Sequence, residues 1–210
     1  MAKFLRIIQA PYTIHLLPQI VLKTMLTSAY QPQPGRFLIS EPFMGDPNFS
    51  RTVVLLVEHN EEGSLGFVLN RQLENTLQQL IEDMPPFESP IYLGGPVEQN
   101  TLHFIHQLDS IPGAKEVIPG LFWSGDFDLI KEKIGNKELT EEEVLFFVGY
   151  SGWGPGQLQE ELDRKSWIIA PENPDFVFTQ DQENLWQDLL RSMGSRYKVI
   201  SNYPVDPRLN

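Results

Sequence analysis

The chain has 210 residues, 41% of them hydrophobic, which is enough for one domain to bury a core without disulfides or metals. It has no cysteine, so disulfide frameworks, thiolate nucleophiles, cysteine-ligated zinc and iron–sulfur clusters are excluded, and the composition fits a cytoplasmic protein. The net charge of −12 is uneven: residues 41–210 hold 12 basic against 28 acidic side chains, a field that repels phosphate backbones and argues against direct DNA binding.

Residues 1–34 read as an N-terminal extension, loosely attached or partly disordered, ahead of a single domain at 35–210. The apolar, mildly basic stretch Met1–Leu26 is interrupted by Gln9, Pro11, His15, Pro18 and Gln19. No uninterrupted run reaches the roughly 18 residues of a membrane span. A later start at Met25, a short amphipathic helix over Gln19–Ser28 and a targeting segment are the other readings of this stretch.

Arg36–Ser40 reads as a first strand, stopped by Glu41-Pro42, with turn formers at Gly45-Asp-Pro-Asn48. Thr52–Glu58 is a nearly continuous apolar run, the pattern of a strand buried on both faces, and it pairs with Ser64–Asn70 as a hairpin with a loop of about five residues. Leu73, Leu77, Leu80, Ile81 and Met84 recur at helical spacing until Pro85-Pro86 ends the pattern. Strands follow at Ile91–Leu93, Leu102–Leu108 and Leu121–Ser124.

Asp126 caps a helix through Leu129, Ile130, Lys133 and Ile134, with Gly135 as its left-handed stop. Thr140–Glu143 has capping-box spacing but leads straight into Val144–Tyr150, which has strand composition. A helix over Gln157–Arg164, a strand over Ser166–Ala170 and a helix opened by Thr179 and Gln182 complete the chain; the last carries Leu185, Trp186, Leu189, Leu190 and Met193 on one face. This order is no regular βαβ alternation, so the expected fold class is α+β, with a strongly curved mixed sheet and packed helices.

The segment richest in chemistry is Phe147–Leu158, which sets Gly152, Gly154 and Gly156 between a strand and a helix, where free backbone N–H groups can face an anion. Gln157 stands where a dinucleotide fingerprint needs its third glycine, and no Gly-Lys-Ser/Thr follows, so a nucleotide site is not supported. Trp153 likewise replaces the second glycine of a G-x-S-x-G elbow, which weakens Ser151 as a nucleophile. Trp153 is expected on an exposed loop, where partner surfaces favour aromatic residues. His103 and His106, three apart on a strand, point to opposite faces and cannot share a metal. Asp46, Asn48, Arg51, Asn70 and Arg71 lie next to loops that can present functional groups, or can serve Asx-turns and caps.

Six separated motifs, Gly35–Phe43, Asp46–Phe49, Arg51–Leu56, Gly66–Arg71, Gly94–Val97 and Gly149–Leu158, resemble the AlgH/YqgE family of bacterial proteins from about Gly35 to Ala170. The resemblance implies an α+β pseudo-barrel in the bacterial cytoplasm and no particular reaction: the family name reflects a proposed regulatory link to alginate production, without an agreed catalytic residue set. The absence of a ligand cluster in the sequence predicts no metal, and no cofactor is expected. The acidic body makes any transcriptional role an indirect one.

Two functions from different classes follow. One is a non-enzymatic regulator or adaptor working through a protein partner. The other is a binder or hydrolase of a small anionic molecule, using the turn 149–157 with Arg51 or Arg71 as countercharge. For both, the candidate site is Asn70, Arg71, Gly94, Gly95, Ser151, Gly152, Trp153, Gly154, Gly156 and Gln157.

Overall fold

The computed structural model describes residues 31–179 and 181–204, and every element below belongs to the compact unit that begins at Pro32. The readings made for residues 1–30 lie outside the described residues. The strands are β1 (Phe37–Ser40), β2 (Val53–Asn60), β3 (Gly63–Val68), β4 (Ile91–Leu93), β5 (Val97–His106), β6 (Lys115–Ile118), β7 (Leu121–Trp123), β8 (Val144–Trp153) and β9 (Trp167–Ala170). The helices are α1 (Leu77–Leu80), α2 (Phe127–Gly135), α3 (Gln157–Asp163), α4 (Leu185–Ser192) and α5 (Ser195–Ser201).

The strands join in the order β6-β7-β5-β8-β3-β2-β1-β9, with β4 also on β8. The β4–β8 pairing is parallel and the other pairings are antiparallel, so the sheet is mixed, as expected. Side-chain alternation explains its curvature. Phe37, Ile39, Val53, Leu55, Phe67, Ile105, Leu145 and Phe147 all enter one cluster, together with Val117 of β6 and Leu121 of β7. Strands far apart in sheet order meet in that one core, so the sheet has to curl, which makes the pseudo-barrel. A Cβ on Gly35 would sit 2.3 Å from Cγ2 of Ile118, which marks how closely the β6 end approaches the start of β1.

The alternate residues face outward and need covers. Leu38, Val54, Leu56 and Val68 pack under Leu158 of α3 with Trp153 and Trp167. Phe104, Val144 and Phe146 pack under Ile130 and Ile134 of α2, with Leu77 of α1 beside them. This is why β2 and the first half of β8 read as continuous apolar runs: both faces are dry. Helix α4 contributes Leu185, Trp186, Leu189 and Leu190 to the inner cluster, and the Trp186 indole donates to the Ser40 carbonyl at 2.9 Å.

Several expected boundaries move. The β2–β3 loop has two residues, Glu61 and Glu62, because the ladder runs on to Asn60 opposite Gly63. Helix α1 is one turn long: Thr76 and Gln79 form its capping box, but Ile81 is extended and Asp83 takes a φ of 57° before the prolines. Asp126 caps α2 as expected, accepting from Leu129 N at 3.1 Å. Gly135 is not the left-handed stop, since it stays inside α2 and Lys137 takes the positive φ of 61°. No box forms between Thr179 and Gln182; Asp181 accepts from Asn184 N instead, and α4 starts at Leu185.

Candidate functional site

The glycine-rich segment begins as strand. β8 continues through Ser151, Gly152 and Trp153, paired with Gly66, Leu65 and Ser64 of β3. The 94–95 turn packs directly on it: a Cβ on Gly94 would lie 2.3 Å from the Gly149 carbonyl, and one on Gly95 would lie 2.3 Å from that of Tyr150. Only glycine permits this approach of backbone to backbone. The Gly94 carbonyl accepts from Val68 N at 2.9 Å and from the Ser151 hydroxyl at 3.0 Å. Ser151 is 0% exposed, so its hydroxyl serves the strand junction and is out of reach of a substrate.

Trp153 is not on an exposed loop. It is 5% exposed, because the strand alternation turns Ser151 and Trp153 to the face covered by α3 and leaves Gly152 on the uncovered side. Its indole donates to Oε2 of Glu161 at 2.9 Å, and the Trp167 indole donates to the same oxygen at 2.7 Å. The Gln157 amide donates to the other carboxylate oxygen at 3.0 Å, while its carbonyl accepts from Gly154 N at 3.1 Å. The exposed turn Gly154-Pro155-Gly156, with Gly156 at φ 75°, is therefore braced from both sides and leads into α3.

Asn70 and Arg71 lie beside Gly94 through the backbone, since Leu93 N donates to the Arg71 carbonyl at 2.8 Å. Their side chains serve the 50–53 loop instead. Asn70 Oδ1 accepts from Val53 N at 3.0 Å, its Nδ2 donates to the Arg51 carbonyl at 2.9 Å, and the Arg71 guanidinium donates to the Ser50 carbonyl. The Arg51 guanidinium stacks 4.6 Å over the Trp186 ring and donates to the Tyr203 carbonyl, and burial lowers its pKa. Neither arginine is positioned as a countercharge for the glycine-rich turn.

One groove does touch the segment. It measures about 440 Å³ and lies between the β2–β3 hairpin and β8, lined by Glu58, Asn60, Glu62, Leu65, Tyr150 and Gly152 among others. At its edge the hydroxyl of Ser64 lies 2.7 Å from Nδ1 of His59, a cross-strand pair. His103 faces Phe67 and Tyr150, whereas His106 faces Phe104 and Phe122, so the two histidines lie on opposite faces as expected. Burial lowers both pKa values, offset in part by Glu98 at His103 and by backbone bonds to Ser124 and Leu108 at His106. Among the described residues no group of three His, Asp or Glu side chains is placed to hold a metal.

Sequence reasoning missed Glu161. The signal available was its four-residue spacing from Gln157, which puts both on one side of α3. The His59–Ser64 pair escapes sequence reasoning because a hairpin loop of about five residues takes His59 out of the ladder, whereas the strands pair as far as Asn60 opposite Gly63.

Together these features define an α+β pseudo-barrel in which a glycine-rich strand end is fastened to the helix that follows it. The AlgH-like (DUF179) family model matches residues 37–198, and the chain belongs to that family. It is 46% identical over 178 residues to a UPF0301 protein of Cytophaga hutchinsonii, covering 84% of this chain and 98% of that one. A UPF0301 protein of Parabacteroides distasonis is 43% identical over 182 residues, covering 85% and 92%. The solution structure of the AlgH protein from Pseudomonas aeruginosa superposes with a TM-score of 0.67 at 30% identity, covering 83% of this chain and 97% of that one. A Corynebacterium diphtheriae crystal structure shares the fold, with a TM-score of 0.71 at 24% identity over 82% and 93% of the two chains.

Proposed function

We propose that this protein is a non-enzymatic regulator or adaptor that acts through a protein partner in the bacterial cytoplasm, seated at the groove beside Gly152. The observation that carries this reading is the groove's composition. Leu65, Val97 and Tyr150 provide apolar surface, and Glu58, Asn60 and Glu62 provide a polar border, the arrangement of an apolar interface centre with a wet rim. Gly94, Gly95, Ser151 and the braced turn Gly154–Gln157 support that surface from behind, and Asn70 and Arg71 hold the neighbouring loop. With 28 acidic against 16 basic residues in the chain, a regulatory effect on transcription would run through the partner and not through DNA contact.

No helix among the described residues is long and apolar enough to cross a membrane. The test is affinity enrichment with the double variant Asn60→Lys/Glu62→Lys against Glu132→Lys on α2, each with its fold checked by circular dichroism. Loss of specific co-purifying proteins with the groove variant alone supports the reading; an unchanged set with both variants contradicts it.

The second reading, a small-ligand binder or hydrolase, is favoured by the His59–Ser64 pair, which sets a hydroxyl against a ring nitrogen at the groove edge. Ser64 would then replace Ser151 as the nucleophile. An anionic ligand fits poorly, because Glu58 and Glu62 line the groove and no arginine or lysine does. Labelling of Ser64 by a fluorophosphonate probe supports this reading, and absence of labelling ends it.

A further inference from the structure

A larger cleft, of about 1,090 Å³, lies between the 72–76 loop, the 86–90 segment and the chain ahead of α4. Glu74, Glu88, Glu141, Asp181 and Glu183 line it, and no lysine, arginine or histidine does. All five are exposed, and among the described residues none is ion-paired. Exposed carboxylates alone describe a solvated surface. Two buried side chains lining the same cleft change that.

Gln182 is 7% exposed. Its Nε2 donates to the Val177 carbonyl at 3.2 Å, while its Oε1 is buried without a donor. Tyr92 is 3% exposed, and among the described residues its hydroxyl has no hydrogen-bond partner. Burial pushes the Tyr92 phenol up to about 12, so it stays neutral. A buried acceptor without a donor is unfavourable until one is supplied, and the surrounding carboxylates select a donor that carries positive charge.

We propose that this cleft docks a lysine- or arginine-bearing segment of a protein partner. The carboxylates hold the cationic head, and Gln182 and Tyr92 meet its N–H donors. The choice of a peptide over a metabolite follows from the spread of the carboxylates, which come from four separate chain segments, at Glu74, Glu88, Glu141 and Asp181 with Glu183, around a cleft of about 1,090 Å³. The inference rests on the partner-binding reading above but uses a different surface.

The test is calorimetric titration of the purified full chain with N-acetylated hexa-arginine amide in about 150 mM salt, where the screening length is about 8 Å. The triple variant Glu74→Gln/Glu88→Gln/Glu141→Gln is expected to weaken binding about tenfold, while Glu61→Gln/Glu116→Gln/Glu132→Gln, matched in charge, stays within about twofold. Tyr92→Phe is expected to weaken it several-fold with the fold intact.

Equal weakening by both triples, or no binding by the unmodified protein, overturns the proposal. Spermidine binding as tightly as the peptide, with the same variant pattern, overturns the peptide assignment in favour of a polyamine. The titration uses a defined probe on purified protein, so its failure leaves the enrichment result at the Gly152 groove standing, and the reverse holds.

Discussion

The indole of Trp153 donates to Oε2 of Glu161 at 2.9 Å, and this contact ties the end of β8 to α3. The same oxygen accepts from Trp167 at 2.7 Å, so one carboxylate serves two buried N–H groups that otherwise have no acceptor. Glu161→Ala is expected to cost roughly 2–5 kcal/mol, because two buried donors are left unsatisfied. Glu161→Gln keeps an acceptor without the charge and is expected to cost about 1–2 kcal/mol. Urea unfolding followed by tryptophan fluorescence checks both, and equal stability of Glu161→Ala and the unmodified chain would show that the bridge contributes nothing.

The 94–95 turn gives a steric prediction. Gly95→Ala places a methyl group 2.3 Å from the Tyr150 carbonyl at a φ of 158°, so it is expected to cost about 3 kcal/mol or more, or to prevent folding. Ser151→Ala removes one hydrogen bond while the Gly94 carbonyl keeps its bond from Val68 N, and is expected to cost about 1 kcal/mol. Thermal denaturation orders the two variants. A more damaging Ser151→Ala would contradict the purely supporting role given to that hydroxyl.

Asn70→Ala strips the 51–53 loop of two backbone partners at once, at Val53 N and the Arg51 carbonyl. The expected loss is roughly 2–3 kcal/mol. Amide exchange should also rise at Val53, two residues after Arg51 in its strained φ of 52°. Unchanged exchange at Val53 in the variant would mean that Asn70 does not hold the loop.

Stability should also depend on pH through the buried histidines. The folded pKa values of His103 and His106 are both lowered by burial from 6.5, so below the unfolded value the unfolded chain binds protons that the folded chain does not. Stability is then full above about pH 6.5 and falls as the pH drops toward the folded values. His106→Asn should flatten part of this slope between about pH 7 and 5, above the range where carboxylates titrate. Urea midpoints across that window measure it, and an unchanged slope would remove His106 from the account.

What could be read from the sequence followed from patterns that packing does not override. The apolar runs of β2 and β8 mark strands covered on both faces, and Leu185, Trp186, Leu189 and Leu190 mark the buried face of α4. Strand β6 escaped because Lys115 and Glu116 are exposed at the sheet edge and leave only Val117 buried there. The site was harder, since Trp153 among four glycines resembles a loop residue. Its burial depends on Glu161 and Trp167 arriving from α3 and β9, a tertiary fact that no local spacing contains. Asn70 and Arg71 stand out in the sequence as residues beside a loop, and in the structure their side-chain partners are carbonyls and an amide of the chain itself.

The most direct test of the central claim, that the surface beside Gly152 receives a partner while the glycine-rich segment supports it, is site-specific photo-crosslinking in growing cells. A crosslinker replacing Asn60 or Glu62 should yield a discrete protein adduct that is absent when Glu132 carries it. Adducts of equal yield from all three positions, or none from the groove, would contradict the assignment.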